Sequence, residues 1–477
     1  MSAAESLMGP PDTPAPVTGP VPEAAVDDGS LVLPGARRRL ALAVPPEPGE
    51  AFPSWLDRLS ADHGVGPGVI AQAIGVPARA NAGSVFRPVL YSIVPTPHLL
   101  DNVAQATGVA GEQITALHLS RFAGTALDLD GLQAGREQSV HAVARREWAL
   151  LFASRACPHC LRENGGVWPL WWRLGAAAAC PRHHVLLVDL CPRCGIRLRQ
   201  GYRGRPRGLS KVHPASPVIC GNHPGGSRCP QDLRQIATDP VPVSLAAWQQ
   251  RVLDAAEGAR FPLAGERVEG RAWFTALAGL AALVRFAAPA CPLTDSLPVP
   301  EDARRELAEA QEADRRSAGG SPAALRIMPA SSALAAAVLA AVAPVMTAGS
   351  VEEAEAAVRP WAEAAVRRRR ELNHNPLRHL DLPSALARVV AAAAPATSRV
   401  AGAARLAVAP AGFRPEHIPH LIDGGDYADL IAAHLPGTAE ASGRRLGPGH
   451  GTARRVTQLG RGSPSSGHGR PPGRPRQ

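Results

Sequence analysis

Seven of the eight cysteines in this 477-residue chain lie between Cys157 and Cys229, in ordered and closely spaced pairs. The pairs read C-P-H-C, C-P-R-H and C-P-R-C, and two further cysteines close the segment. A two-residue gap lets both side chains of a tight turn reach one ion, and soft thiolates with an imidazole select zinc over harder cations. The spacing therefore predicts two tetrahedral zinc sites in a tandem zinc-ribbon or zinc-finger module.

We expect four protein ligands at each site, which leaves no open position for a catalytic water and makes both zinc ions structural. The first site takes Cys157, Cys160, Cys180 and His183, and the second takes Cys191, Cys194, Cys220 and Cys229. His223 competes with Cys229 for the last position, because it follows Cys220 at the same gap that separates Cys180 from His183.

Two simpler explanations of the cysteines fit the pattern less well. Reduced core thiols are common as single residues and would explain Cys291, but they would not explain three pairs at two-residue gaps. A disulfide framework is typical of short secreted chains, and the N-terminus here has no basic region of the kind that begins a secretion signal.

The net charge of +10 is distributed unevenly along the chain. Fourteen arginines and Lys211 face only four acidic residues between Arg145 and Arg234, and eight arginines follow Gly443 with no acidic residue. Concentrated positive charge indicates a polyanionic partner, most often nucleic acid. We expect phosphate contacts from the Gly/Arg-rich loop inside the second site, although a solvated insertion has the same composition. The candidate residues are Arg199, Arg203, Arg205, Arg207 and Lys211.

Composition predicts a mainly α protein, because aromatic residues make up only 4% of the chain and alanine is abundant. Five segments are expected along it. They are a disordered segment at 1–50, helix-turn-helix units at 51–125, the tandem zinc module at 145–235, an Ala-rich helical region at 240–440 and a disordered basic tail at 441–477.

A weak repeat supports the helix-turn-helix prediction. Residues 56–65 align with residues 100–109, including a shared Gly-Val turn, and Ile70 aligns with Ile114. We expect two helix–Gly-turn–helix units, with Ser54 as the N-cap of the first helix. Their exposed positions are not strongly basic, so DNA reading and partner docking both stay open for these units.

Three tryptophans, Trp168, Trp171 and Trp172, lie between the first two ligand pairs. A small zinc module has little core of its own, so packing of these indoles around the metal is the favoured interpretation. Stacking on nucleic-acid bases is the alternative.

The C-terminal half predicts Ala-rich helices at 246–259, 271–286, 333–343 and 352–372, the last with a kink at Pro360. The apolar run at 333–343 is too short for a membrane span, and we expect Pro344 to stop it. We therefore expect a soluble, cytoplasmic protein with no membrane partner.

The sequence contains no motif of a known catalytic class. It has no recognisable Asp/Asp/Glu metal trio of a transposase and no Gly-x4-Gly-Lys-Ser/Thr loop for nucleotide hydrolysis. We expect a protein that is not an enzyme.

These motifs together resemble the TniQ family of transposition proteins, which includes target selectors of the TnsD type. The resemblance covers roughly residues 50–235. It is carried by Ser54-Trp55-Leu56 with Arg58 and Leu59, by C-P-H-C-L, W-x3-W-R-L, C-P-R-H-H-V-L-L and C-P-R-C-G, and by C-P-Q-D-L from Cys229. The chain departs from the family in an insertion at 199–216 and in its C-terminal half.

The resemblance implies a non-catalytic adaptor that binds DNA or a DNA-bound complex and recruits an AAA+ ATPase regulator of transposition. It also implies that the eight zinc ligands are structural, and that a homodimer is one candidate assembly. The departures leave the type of target open. A zinc-containing helix-turn-helix transcriptional regulator is the alternative function.

Overall fold

The computed structural model describes residues 39–76, 92–133, 139–140, 143, 146–200, 213–225, 227–317, 328–371 and 382–393. Over these ranges the chain is mainly helical, and its strands form two short hairpins, which confirms the predicted fold class. The predicted disordered tail at 441–477 and residues 1–38 of the predicted disordered segment 1–50 lie outside the described residues, whereas residues 39–50 are described and Glu50 is buried.

The N-terminal region contains two helix–turn–helix units that pack on each other. Helices α1 (Phe52–Asp62) and α2 (Pro67–Ala73) form the first unit, and α3 (Pro97–Thr107) and α4 (Gly111–Thr115) form the second. The turns begin at Gly64 and Gly108, whose φ angles of 63° and 75° favour glycine. The aligned Ile70 and Ile114 are both buried in one cluster, so the predicted repeat is confirmed.

The predicted N-cap of α1 is wrong. The N-cap is Ala51, and Pro53 lies in the first turn, where its missing N–H is not needed for a helical hydrogen bond. Ser54 is therefore inside the helix, and its Oγ donates to Oε1 of Glu50 at 2.7 Å. The hydroxyl is used in a tertiary contact rather than in capping.

The cysteine-rich segment has little regular structure of its own. It contains α5 (Pro158–Glu163) and a hairpin of β1 (Ala179–Cys180) and β2 (Val185–Leu186), in which Cys180 pairs with Val185. The other described residues between Cys157 and Cys229 form one 3-10 helix, Leu170–Arg173, together with turns and isolated bridges. Interactions other than helix and sheet hydrogen bonds must therefore hold it together.

Six α-helices lie in the described part of the C-terminal half. They are α6 (Val243–Ala256), α7 (Gly270–Ala287), α8 (Glu301–Ser317), α9 (Ser332–Thr347), α10 (Val351–Glu371) and α11 (Ser384–Ala393), with the hairpin of β3 (Pro262–Leu263) and β4 (Glu266–Arg267) between α6 and α7. Their apolar faces join those of the cysteine-rich segment in one continuous core. The predicted domain boundaries stay a prediction, although the core crosses the one expected between 235 and 240.

Proline does not end the apolar helix where we expected. Pro344 lies inside α9, which continues to Thr347. Pro344 lacks a backbone N–H and is only three residues from the C-terminal end of α9. Few helical hydrogen bonds remain to be formed beyond it, so the helix can continue to Thr347. Pro360 also lies inside a helix, in α10.

Among the described residues, one helix is long and apolar enough to cross a membrane by length and composition alone. It comprises residues 270–290, with a mean hydropathy of 1.4 over its most apolar window. That window is 78% buried by the rest of the structure, as in a core helix of a folded domain. Arg271 and Arg285 lie near its ends and interrupt its apolar run.

A buried ion pair joins the cysteine-rich segment to the C-terminal helices. Nε of Arg155 donates to Oδ1 of Asp189 at 2.6 Å, and the side chains are 0% and 9% exposed. The other Asp189 oxygen accepts from the backbone N–H of Ser332, at the first turn of α9. Burial alone would raise the pKa of Asp189, but the charge of Arg155 and the Ser332 hydrogen bonds hold it below its ordinary value.

We predict that Asp189→Asn lowers the free energy of unfolding by about 3–5 kcal/mol, because it leaves the Arg155 charge buried without its counterion. The measurement is urea denaturation at pH 7. The native carboxylate stabilises the fold above an unfolded-state pKa of about 3.9, and its contribution is lost as the pH falls through the lower folded-state pKa. The control is Asp302→Asn, which removes an exposed pair with Arg305 and should cost less than about 1 kcal/mol. Equal effects of the two variants would contradict the prediction.

Candidate metal centres

The first candidate centre is built from a helix start and a hairpin. Cys157 is the N-cap of α5, and Cys160 lies in the first turn of that helix. Cys180 ends β1, and His183 lies in the turn that leads to β2. The neighbouring His184 has a φ of 52°, a left-handed conformation that helps the two-residue strands reverse direction.

The ligand atoms of the first centre converge at distances that suit one tetrahedral ion. Nδ1 of His183 lies 3.5, 3.3 and 3.4 Å from the sulfurs of Cys157, Cys160 and Cys180, and the Cys160 and Cys180 sulfurs are 3.6 Å apart. Ligands around a tetrahedral zinc ion are expected roughly 3.5 Å apart for sulfur and nitrogen and roughly 3.8 Å apart for two sulfurs. The four residues can therefore hold a metal ion, and the donor set fits zinc.

Glu163 fixes the orientation of His183. Nε2 of His183 lies 3.0 Å from Oε1 of Glu163, at the end of α5. A carboxylate only accepts, so Nε2 carries the proton and the lone pair of Nδ1 faces the three sulfurs. Carboxylate–histidine pairs of this kind orient metal-binding imidazoles in many proteins. Glu163 was not predicted from the sequence, although its position three residues after Cys160 on the same short helix was a usable signal.

The second candidate centre joins two tight turns. The sulfurs of Cys191 and Cys229 lie 3.7 Å apart, and those of Cys194 and Cys220 lie 3.8 Å apart. All four ligand atoms lie within 4.8 Å of one another, so these residues can also hold a metal ion. Among the described residues this group contains Cys229 and not His223, so the geometry favours Cys229 as the fourth ligand, and the ligand assignment stays a prediction.

Glycines and backbone hydrogen bonds shape both turns of the second centre. Gly195 and Gly221 follow ligand cysteines with φ angles of 66° and 63°, which side chains with a Cβ rarely adopt. The N–H of Gly195 donates to the carbonyl of Cys191 at 2.8 Å, and the N–H of Cys229 donates to the carbonyl of Asn222 at 2.7 Å. The turns therefore bring the paired sulfurs together through local backbone geometry.

The thiols of the first centre share protons unequally. Hydrogen bonds from Cys157 and Cys160 lower the pKa of Cys180 to about 2. Hydrogen bonds to the other two thiols raise the pKa of Cys160. For Cys157, the hydrogen bond with Cys160 lowers the pKa, but the hydrogen bond with Cys180 and burial raise it, and the resulting pKa is about 11. A metal ion would replace the protons of Cys157 and Cys160, so its affinity should rise with pH.

The tryptophans and Arg173 belong to the interior. Trp168 and Trp172 are 2% and 0% exposed and pack edge to face at 5.5 Å, while Trp171 is half-buried. Arg173 is buried as well and donates to the carbonyls of Leu150 and Leu151. The interpretation that the indoles pack as core is confirmed for Trp168 and Trp172, whose faces do not reach solvent for stacking on bases.

Of the five residues predicted to contact phosphate, only Arg199 is among the described residues, and its side chain makes intramolecular contacts. Arg199 is 12% exposed, forms an ion pair with the buried Asp57 and lies over the ring of Trp168 at 4.5 Å. Arg203, Arg205, Arg207 and Lys211 lie outside the described residues. Phosphate binding by these five residues stays a prediction.

Residues 41–187 match the family model TniQ. The chain carries a TniQ domain. The family resemblance read from the motifs is thereby confirmed for this region, which contains α1 to α4 and every ligand of the first centre. The TniQ match ends before Cys191, so the second centre lies beyond it. No curated protein matches the chain.

We predict that the purified protein carries two zinc ions per chain, and that Cys194→Ser carries one, because each centre has a complete set of four ligands. Native mass spectrometry on protein prepared without chelators counts the ions directly. The matched control is Cys291→Ser, which alters a buried cysteine outside both clusters and should retain two ions. Zero or one ion in the wild-type chain would contradict the ligand assignment.

We predict that Glu163→Gln weakens zinc binding at the first centre about 10–100-fold and leaves the second unchanged, because the amide orients His183 less strongly than a carboxylate. Competition with a chromogenic chelator at constant pH resolves the two affinities. Glu112→Gln makes the same chemical change at an exposed position of α4 and should leave both affinities as they are. An unchanged first affinity in Glu163→Gln would show that this carboxylate does not support the metal.

Proposed function

We propose that this chain is a non-catalytic adaptor of DNA transposition that marks a target and recruits an AAA+ ATPase regulator. The observation that carries the proposal is the TniQ domain together with two clusters that each offer four protein ligands. A zinc ion held by four side chains has no open position for water or substrate, so it stabilises structure and does not catalyse. We assign a structural role to both zinc ions, which is to stabilise the folded surface that partners recognise.

Exposed arginines around the metal centres support DNA as one partner. Arg182 lies beside His183 and is 71% exposed, and Arg193 lies between the two cysteines of the C-P-R-C turn and is also exposed. Arg182 is 2.9 Å from Glu163, but solvent screens a pair on the surface and leaves the guanidinium available to a phosphate. Arginines held on rigid turns lose little conformational entropy on binding, which suits them to contacts with a DNA backbone.

The helix-turn-helix regulator is a weaker proposal. The second helices of the two units, α2 and α4, have only seven and five residues, and α4 carries the acidic Glu112 in its first turn. Several polar residues of α1 are buried rather than exposed, including Ser54, Asp57 and Ser60. A recognition helix must present several polar or basic side chains to a DNA groove, and these helices offer few. Partner docking suits the units better.

The remaining parts of the proposal follow from the adaptor role. We place the protein in the cytoplasm with DNA, directly or through a DNA-bound complex, and with the ATPase as partners. A homodimer is the assembly that we propose to test first, by measuring the mass of the purified protein in solution.

Arg182→Gln together with Arg193→Gln tests the DNA contact. If both arginines touch phosphates, the slope of log affinity against log salt should become shallower by about 1.8, or roughly 0.9 for each lost contact. Fluorescence anisotropy with labelled duplex DNA at several salt concentrations gives the slopes. Arg305→Gln on α8 is the control for loss of one exposed arginine and should leave the slope unchanged. An affinity that does not depend on salt in the wild-type chain would contradict direct phosphate binding.

A pull-down tests the recruitment. The tagged full-length protein, incubated with host lysate and ATP, should retain an AAA+ ATPase that mass spectrometry identifies. Recovery of transcription factors or RNA polymerase with no AAA+ protein would favour the regulator instead.

A further inference from the structure

Helix α1 has a buried polar side as well as a buried apolar side. Trp55, Leu56 and Leu59 pack in the core of the N-terminal units. Ser54, Asp57 and Ser60 are also buried, and their spacing of three residues puts them on successive turns of the helix. Buried polar groups need hydrogen-bond partners, so this side of α1 must be docked against something polar.

The partners lie in the cysteine-rich segment. Oγ of Ser54 accepts from the N–H of Trp168 at 3.0 Å, and Oγ of Ser60 accepts from the N–H of Ala215 at 2.9 Å. Asp57 forms an ion pair with Arg199 between these two contacts. The carboxylate is only 2% exposed, so loss of the guanidinium would leave a buried charge without its counterion.

Two of the three contacts are made by residues of the segment that connects Cys194 and Cys220, two ligands of the second metal centre. Arg199 follows the ligand Cys194 by five residues, and Ala215 precedes the ligand Cys220 by five residues. The φ of Arg199 is 62°, a conformation that costs energy in a residue other than glycine and persists only where surrounding contacts hold it. Joining Cys194 to Cys220 through one ion therefore fixes both ends of this loop against α1.

The remaining attachment uses backbone groups of the segment between the ligands of the first centre. The N–H of Ala51 donates to the carbonyl of Trp168 at 2.9 Å, and the N–H of Leu170 donates to the carbonyl of Gly49 at 2.7 Å. Glu50 is 0% exposed between them. Both partners lie between ligands of the first centre, in the segment from Cys160 to Cys180. The N-terminal units are thus held at two points, one near each metal centre.

We propose that occupancy of the second metal centre controls docking of the polar side of α1. With the ion bound, Arg199 and Ala215 hold Asp57 and Ser60. Without it, these two contacts open and the helix stays attached at 49–51 and through Ser54. The inference rests on the metal binding proposed above. Arg199 and Ala215, at the two described ends of the second-centre loop, would then hold the helix units that we assign to partner docking, and we call this pair of contacts the clamp.

Carboxyl footprinting of the full-length protein tests the clamp. A carbodiimide and glycine ethyl ester modify accessible carboxylates, and mass spectrometry gives the rate at each site. In Cys220→Ser we expect the modification rate of Asp57 to rise about tenfold or more, as for a site that passes into a locally open state. Glu50 should stay protected, and the exposed Asp62 and Asp101 should react as in the wild type.

Two further variants separate the clamp from a general loss of folding. Arg199→Met should expose Asp57 while native mass spectrometry still counts two zinc ions. Cys291→Ser should change neither the zinc count nor the modification of Asp57. Protection of Asp57 in Cys220→Ser that has lost its second ion would overturn the inference, and so would equal exposure of Asp57 and Glu50. A wild-type chain with no metal and a protected Asp57 would refute the metal proposal as well.

Discussion

The structure depends on the convergence of eight side chains into two groups of four ligand atoms. Between Cys157 and Cys229 the described chain has one six-residue α-helix, one four-residue 3-10 helix, one hairpin of two-residue strands and short turns, and such elements are not stable alone. A metal ion at each group would close the chain at four points and would supply folding free energy that a small core cannot. The buried indoles of Trp168 and Trp172 then have a fixed surface on which to pack.

Buried charges connect this segment to the regions on either side. Arg155 and Asp189 lie against the start of α9, and Asp57 and Arg199 lie against α1. An ion pair withdrawn from water contributes little net stability, yet removal of one partner is costly, so such pairs select one arrangement of the elements over others. The cysteine-rich segment therefore connects the two helical regions, and polar contacts with it orient both of them. We refer to this segment as the hub.

Much of the site could be predicted from the sequence because metal ligands obey short-range rules. Local patterns with few structural solutions were available here. They are the two-residue gaps between cysteines, a histidine at the same gap and the shared Gly-Val turns. The choice between Cys229 and His223 needed the structure, since the return of the chain after Cys220 depends on turns at Gly221 and Asn222. The roles of Ser54 and Arg199 could not be predicted either. A serine before a helix resembles a cap and an arginine in a basic loop resembles a phosphate contact, whereas both are used in contacts between segments more than 100 residues apart.

The most direct test of the account is the near-ultraviolet circular dichroism of the tryptophans during removal and return of zinc. If metal closure organises the hub, stripping both ions with a chelator should abolish the signal of the packed indoles, and two equivalents of zinc should restore it. A metal-free chain that keeps the same spectrum and the same unfolding temperature would contradict the account.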